Sequence, residues 1–441
     1  MAFIPNQSAV AATGAPVNPA TGSIFDGTVS TINLAIGLTY NFYHENLIFN
    51  AKNITIDAVY SGDGGVLKQR SFQITPGVIG VYSLVYNAYN VSSQLLESKT
   101  ISINVVSKTL GSSTKNVLFL GDSQLASGTV TDTLKTKNTA DGGTVYNLIG
   151  SIPSTNSRFE AMPGWATTDY LSGTTQYQKF VVSGVVLQPL YGDTYTNNGI
   201  TWSVRRAYLV SGSGWIETVG AGSPLSSGTL TKTGGTGDSS MTFASTTTVP
   251  QNPLWDTVNS QVDFVKYVAK YGLATPHCLV IQLGVNDIYG IKTPKTQSQI
   301  NAIVTNLQTI ITAFLNVTTG YTTAKVIISL PPICGLSRQV AGNDCNFNWI
   351  HIQAYEQSMR LLFKTVVTVF DSGAWNAAVS ISPIFLFVDR RYSYPISSEL
   401  PNQYESSVTL IEFLENVHPE ISGRNQQKDI YYSQLRYLFN S

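Results

Sequence analysis

The segment "NVLFLGDSQLASG" (residues 116–128) carries an unbroken apolar run, Val117 to Leu120, directly into Gly121-Asp122-Ser123. A serine held where a strand turns into a helix exposes its hydroxyl and directs its own backbone N–H to the same pocket. A neutral serine is a weak nucleophile and needs a base beside it. The chain has four histidines, His44, His277, His351 and His418. His418, in "ENVHPE" just ahead of the last helix-patterned segment, is the candidate base, because an imidazole with a pKa near 6.5 takes and returns a proton at neutral pH. Glu415, three residues earlier, is placed to accept a bond from Nδ1–H and hold the tautomer. Orientation by a main-chain carbonyl is the alternative, which would leave a Ser-His dyad. Asn286 in "GVND" offers a side-chain amide, and Gly164 in "PGW" and Ser123 offer backbone N–H groups. These are the parts of an acyl-transfer site, in which losing one oxyanion donor costs on the order of 100- to 1000-fold in rate.

Each residue also has a plainer reading. Ser123 and Asn286 are good helix-capping types, Gly164 suits a turn with positive φ, and a histidine before proline suits a surface loop. Asp122 and Asp287 read as acceptors for nearby backbone. His44, His277 and His351 sit in no recognisable motif. Trp165, Trp202 and Trp215 are either platforms for sugar rings or core residues.

The elements that must position these groups follow from periodicity. "NVLFLGD", "CLVIQLG", "KVIISLPP" and "IFLFVD" read as strands without alternation, separated by segments of helical period. One such helix face is Val258, Val262, Val265 and Ala269; a second is Ile300, Ile303, Leu307, Ile310 and Phe314; a third is Tyr431, Leu435 and Leu438. Non-alternating strands between amphipathic helices predict a parallel sheet covered on both faces. Residues 24–107 differ: short segments such as "GVYSLVYNAYNV" alternate with period 2 and predict a small Ig-like β-sandwich. Residues 1–23 read as an extended arm, and 178–248, rich in Gly, Thr and Ser, as an all-β insertion. Its Thr-Gly-Asp-Ser turns resemble β modules of phage tails and other fibrous surface proteins.

Composition narrows the function. The 441 residues carry 26 acidic and 26 basic side chains and no Lys/Arg cluster, which disfavours a nucleic-acid partner. Charged residues are 12% of the chain, against a usual level of roughly 25%. No apolar run approaches the roughly 18 residues of a membrane span, so membrane insertion is not expected, and the N-terminus does not read as a secretory signal. Cys278, Cys334 and Cys345 lack metal-site spacing. A Cys334–Cys345 bridge is conceivable in an oxidising setting, but reduced thiols are the expectation.

In type and order the four blocks resemble the SGNH, or GDSL-type, hydrolases: Ser123 in "GDS", Gly164 in "PGW", Asn286 in "GVND" and His418 in "NVHP". The resemblance spans roughly 116–177 and 249–441, and the β domain before it resembles one carried by some bacterial and phage members. It implies an α/β class, with a flavodoxin-like three-layer α/β/α hydrolase domain over 116–441. To this are added the N-terminal β-sandwich of 24–107 and the inserted all-β module of 178–248. It implies a serine esterase without cofactor or metal, whose catalytic residues are Ser123, His418 and Glu415 and whose oxyanion hole is Ser123, Gly164 and Asn286. Two departures stand out: Gln124 replaces the commonest Leu, and Glu415 replaces the usual Asp. No G-x-S-x-G elbow is present.

The expected substrate is an acylated, foremost O-acetylated, surface polysaccharide. The expected setting is a virion tail acting outside the cell, alongside other tail proteins and as a homotrimer, although no heptad repeat compels a trimer. A secreted bacterial enzyme is the alternative origin. Rival functions are a non-catalytic structural or receptor-binding virion protein, and a lipase or thioesterase.

Overall fold

The computed structural model describes residues 24–25, 29–48, 53–174, 176–190, 192–335, 349–371, 373–375, 377–394, 396–399, 410–413 and 417–440. The expected arm of 1–23, Cys345 and Glu415 lie outside the described residues.

Between residues 31 and 106 two sheets form. One has four strands in the order Thr31–Ala35, Leu95–Val106, Gly80–Tyr89 and Thr55–Tyr60. The other pairs Tyr40–Tyr43, Ser71–Ile74 and Gly65–Leu67. In Gly80–Tyr89 the side chains of Leu84, Tyr86 and Ala88 are buried while Ser83, Val85 and Asn87 are half-exposed. That alternation is what a strand with one wet face requires.

The strand Thr114–Gly121 is flanked by parallel partners on both sides. Cys278–Gln282 lies on one, and Val145–Ile149 and Arg158–Ala161 share the other. Lys325–Ser329 and Val379–Ser382 continue the sheet, also in parallel. Every residue of Cys278–Gln282 is buried, which explains its lack of alternation. The helices Thr129–Asp141 and Ile421–Asn440 pack on one another, as do Gln297–Leu315 and Trp349–Phe370.

Six more strands close into a barrel in the order Gln176–Ser183, Ser213–Val219, Ile200–Val210, Thr194–Asn197, Gly228–Gly234 and Ser240–Pro250. It has its own core around Phe180, Trp202, Ile216, Leu230 and Phe243. Closure leaves no unpaired sheet edge.

The expected class, an α/β chain built on a flavodoxin-like three-layer α/β/α domain, is therefore corrected. Among the described residues the fold is mostly β, 36% strand against 26% helix, with a closed barrel and several separate sheets. The physical reason is that unbroken apolar runs dominate a sequence pattern, whereas the strands of the closed barrel are polar and partly threonine-rich. Two local expectations also change. The helix read through Val258 is shorter, Phe264–Lys270, started by Asp263, whose carboxylate accepts from Lys266 N–H at 2.8 Å. Val258 is 83% exposed in the turn before it. In "IFLFVD", Ile384–Leu386 is a 3₁₀ turn, and the strand precedes it at Val379–Ser382.

Candidate active site

Parallel strands deliver their carboxyl ends to one edge of a sheet, where the loops between them meet. Gly121 is in register with Gln282 on one side and with Ala161 on the other. The chain therefore leaves three adjacent strands at the same level, into Asp122-Ser123, Met162-Pro163-Gly164 and Gly284-Val285-Asn286. Gly121 is required by space: a Cβ there would stand 2.7 Å from Leu125 Cδ1 and 3.0 Å from the Gln282 carbonyl.

Ser123 opens the short helix Ser123–Ala126, capped by Asp122, whose carboxylate accepts from Gln124 N–H at 3.0 Å. Asp122 is fully buried, and among the described residues its second oxygen has no hydrogen-bond partner. Burial pushes its pKa up to about 7, and the charge of Asp287 adds to the effect. His418 approaches from the segment before the last helix, and its Nε2 lies 2.7 Å from Ser123 Oγ across 295 residues of sequence. With the proton on Nδ1, the serine hydroxyl donates to Nε2. Burial first, and then the charge of Arg424, lower the His418 pKa below its usual value. The imidazole is therefore neutral, and able to accept a proton, at neutral pH.

Asn286 donates through Nδ2 to the Trp165 carbonyl at 3.0 Å. Next to it, Asp287 accepts from Thr167 N–H and from the Thr167 hydroxyl, the latter at 2.6 Å. These bonds tie the Gly164 loop to the Asn286 turn. Gly164 has φ +80° with open space where a Cβ would be, so its requirement is conformational rather than steric. The other described histidines serve structure: His277 Nδ1 accepts from Asn116 N–H at 3.0 Å, and His44 Nε2 lies 3.1 Å from the Lys68 carbonyl. The His351 side chain lies outside the described residues. Trp165, Trp202 and Trp215 are buried and offer no platform for a sugar. Cys278 and Cys334 are buried free thiols.

Two features of the site carry no local sequence signal. The first is a buried relay. Gln124 donates through Nε2 to the carbonyl of Val417, the residue before His418, at 3.2 Å. Its Oε1 accepts from Gln282 Nε2 at 2.8 Å, and Gln282 in turn accepts from the Tyr431 hydroxyl. The residue after the serine thus holds the histidine segment. Gln124→Leu removes that hold and strands the Gln282 amide. The expected result is a fall in kcat of about 10- to 100-fold with KM nearly unchanged, since small misplacement of a reacting group costs on that order. Steady-state kinetics on an aryl acetate check it.

The second is the way the barrel reaches the site. Arg206 donates to Glu160 Oε1 at 3.1 and 3.0 Å and to Glu217 Oε2 at 3.2 Å, all three side chains being fully buried. Glu160 lies on the strand beside Thr114–Gly121, in register with Leu120. A cleft of about 430 Å³ opens at Ser123, lined by Ala126, Ser127, Ser154, Pro163 and the barrel's Leu190. The Leu190 turn is pinned by Asp193, which accepts from Leu190 N–H at 2.9 Å. One wall of the cleft is therefore supplied by the barrel.

No family model matches the chain, and no curated protein matches it. Among solved structures, a peptidoglycan O-acetylesterase is similar at 13% identity and a TM-score of 0.29, over 74% of this chain and 92% of that one. The SGBP-B protein of the Bacteroides ovatus mixed-linkage glucan utilization locus, solved with a mixed-linkage heptasaccharide, is similar at 11% identity and a TM-score of 0.13, over 51% and 44%. The first is a weak likeness to an esterase, and at these TM-scores neither match establishes a fold or an activity.

Proposed function

We propose that the chain is a serine ester hydrolase acting on O-acyl, foremost O-acetyl, esters of a polysaccharide. The observation that carries the proposal is the 2.7 Å approach of His418 Nε2 to Ser123 Oγ at the mouth of a cleft. In this reading Ser123 Oγ attacks the ester carbonyl as His418 takes its proton. The oxyanion is met by the Ser123 and Gly164 N–H groups and by the Asn286 N–H that Trp165 does not use. His418 then protonates the departing sugar alkoxide and activates a water against the acyl-enzyme. Glu415 as the partner of Nδ1 belongs to the proposal on sequence grounds only. The setting, a virion tail or a secreted enzyme, is supported by composition and turn resemblance alone.

Hydrolysis of p-nitrophenyl acetate by the full chain is the test. Turnover is expected, with kcat/KM falling as pH drops through a pKa below 6.5, because only neutral His418 accepts the serine proton and its pKa is lowered. Asp122 titrates nearby, near 7. The limb that persists in Asp122→Asn, whose amide oxygen still caps Gln124, belongs to His418. Absence of turnover would favour the binding-only reading, and a preference for long acyl chains the lipase or thioesterase one.

A further inference from the structure

Arg424 lies in the first turns of the helix Ile421–Asn440, six residues after His418. Its guanidinium is half-buried, and its one described hydrogen bond runs from Nη1 to Thr129 Oγ1 at 3.2 Å. Among the described residues its Nε is buried without a partner, as are those of Arg70 and Arg436. Among the described residues no carboxylate forms an ion pair with it, and Glu420, exposed one turn earlier, attracts it only from a distance.

Other buried or half-buried guanidiniums in this chain are better provided for. Arg206, Arg360 and Arg390 each pair with a glutamate, and Arg70 with Asp389 and Glu45. Arg158 and Arg436 donate to two or more backbone carbonyls. A cation withdrawn from water toward a single neutral hydroxyl is under-satisfied, and such groups concentrate at ligand sites.

It is linked to the catalytic cleft through two hydrogen bonds. Thr129 Oγ1, which accepts from Arg424, also accepts from Ser127 Oγ at 3.2 Å, and Ser127 lines the cleft that holds Ser123. The Arg424 charge is also felt at His418. We infer that Arg424 is a subsite for a carboxylate on the substrate, so that the esters removed are those of an acidic, uronic-acid-containing glycan. The inference rests on the esterase reading for its chemistry, but the subsite itself is a binding claim. A guanidinium fork binds a carboxylate through two parallel N–H···O bonds and keeps its charge at every working pH. A substrate carboxylate supplies the anionic partner that the half-exposed guanidinium lacks among the described residues, and it fixes the acidic sugar near the attacking serine.

The test has two arms. In the first, acetate release is measured at pH 8 from an O-acetylated polyuronate and from an O-acetylated neutral xylan. The full chain is expected to favour the polyuronate at least 10-fold in kcat/KM. In Arg424→Gln the ratio is expected to fall to about one, and Arg424→Lys to restore part of it. In the second, a uronate trisaccharide is titrated calorimetrically into the full chain. Binding that weakens with salt and falls about 10-fold or more in Arg424→Gln is expected. Equal rates on the two glycans, with uronate binding indifferent to Arg424, would overturn the subsite while leaving the esterase intact. Arg424-dependent uronate binding by a protein that does not turn over aryl acetate would sink the esterase and leave the subsite standing.

Discussion

Replacing Ser123 by alanine is expected to lower the hydrolysis of p-nitrophenyl acetate by on the order of 10⁴- to 10⁶-fold, and His418→Ala is expected to do about the same. In the proposed reaction the two groups act as one unit: the hydroxyl is a nucleophile only while Nε2, 2.7 Å away, can take its proton. Their losses are therefore not additive, and the double variant is expected to be no slower than the worse single one. The substitution should leave folding alone. Among the described residues the Ser123 hydroxyl bonds only to His418, and the helix it opens is capped by Asp122 rather than by the serine. An unchanged unfolding midpoint beside a collapsed rate identifies a chemical role. Turnover in Ser123→Ala within 10-fold of the parent would remove Ser123 from the reaction, and with it the whole acyl-transfer scheme.

Ser123 and His418, whose side chains meet, could be singled out from type, scarcity and the order of the four sequence blocks. A chain with four histidines leaves few candidates for a base, and a serine that ends an apolar run is already suspect. The parallel strands Thr114–Gly121, Cys278–Gln282 and Lys325–Ser329 were equally legible, because a strand buried on both faces must be apolar throughout. The same signal misled at "IFLFVD", where Ile384, Phe385 and Leu386 are buried within a 3₁₀ turn. An apolar run reports burial, and it reports backbone conformation only by inference. The overall class was misjudged for a related reason. The barrel's strands are short of aliphatics and rich in threonine, and its closure depends on Gln176–Ser183 pairing with Ser240–Pro250, more than fifty residues away. Gln124 stands out only as a departure from the commonest Leu and Tyr431 only as part of a helix face, and nothing in the sequence links them to Gln282. Their relay spans separations of 158 and 149 residues, and each glutamine alone looks like any other polar residue.

Arg206 is the second site where a single change should have a large effect, and here the effect is on stability. It bridges two fully buried carboxylates, Glu160 on the strand beside Thr114–Gly121 and Glu217 on the barrel. Burial works against the Arg206 charge, yet the attraction of Glu160, followed by Tyr271 and Glu217, outweighs it and holds the pKa well above the usual arginine value. Tyr267 donates to Glu160, and Lys270 and Tyr271 to Glu217, so the cluster is well supplied with donors. Arg206→Met keeps most of the volume but leaves Glu160 as a buried carboxylate with no cation. Breaking a buried pair in this way typically costs about 3–5 kcal/mol, whereas replacing all the charges together is often near neutral. Denaturant unfolding of Arg206→Met is therefore expected to show a loss of that size, and the triple variant Glu160→Gln, Arg206→Met, Glu217→Gln to recover most of it. Activity should follow the same pattern, because the cluster fastens the barrel whose Leu190 walls the cleft at Ser123. A loss of stability in Arg206→Met with unchanged kinetics on the folded fraction would show instead that Leu190 holds its place without the cluster. If Arg206→Met is as stable as the parent, the ion cluster does not fasten the barrel.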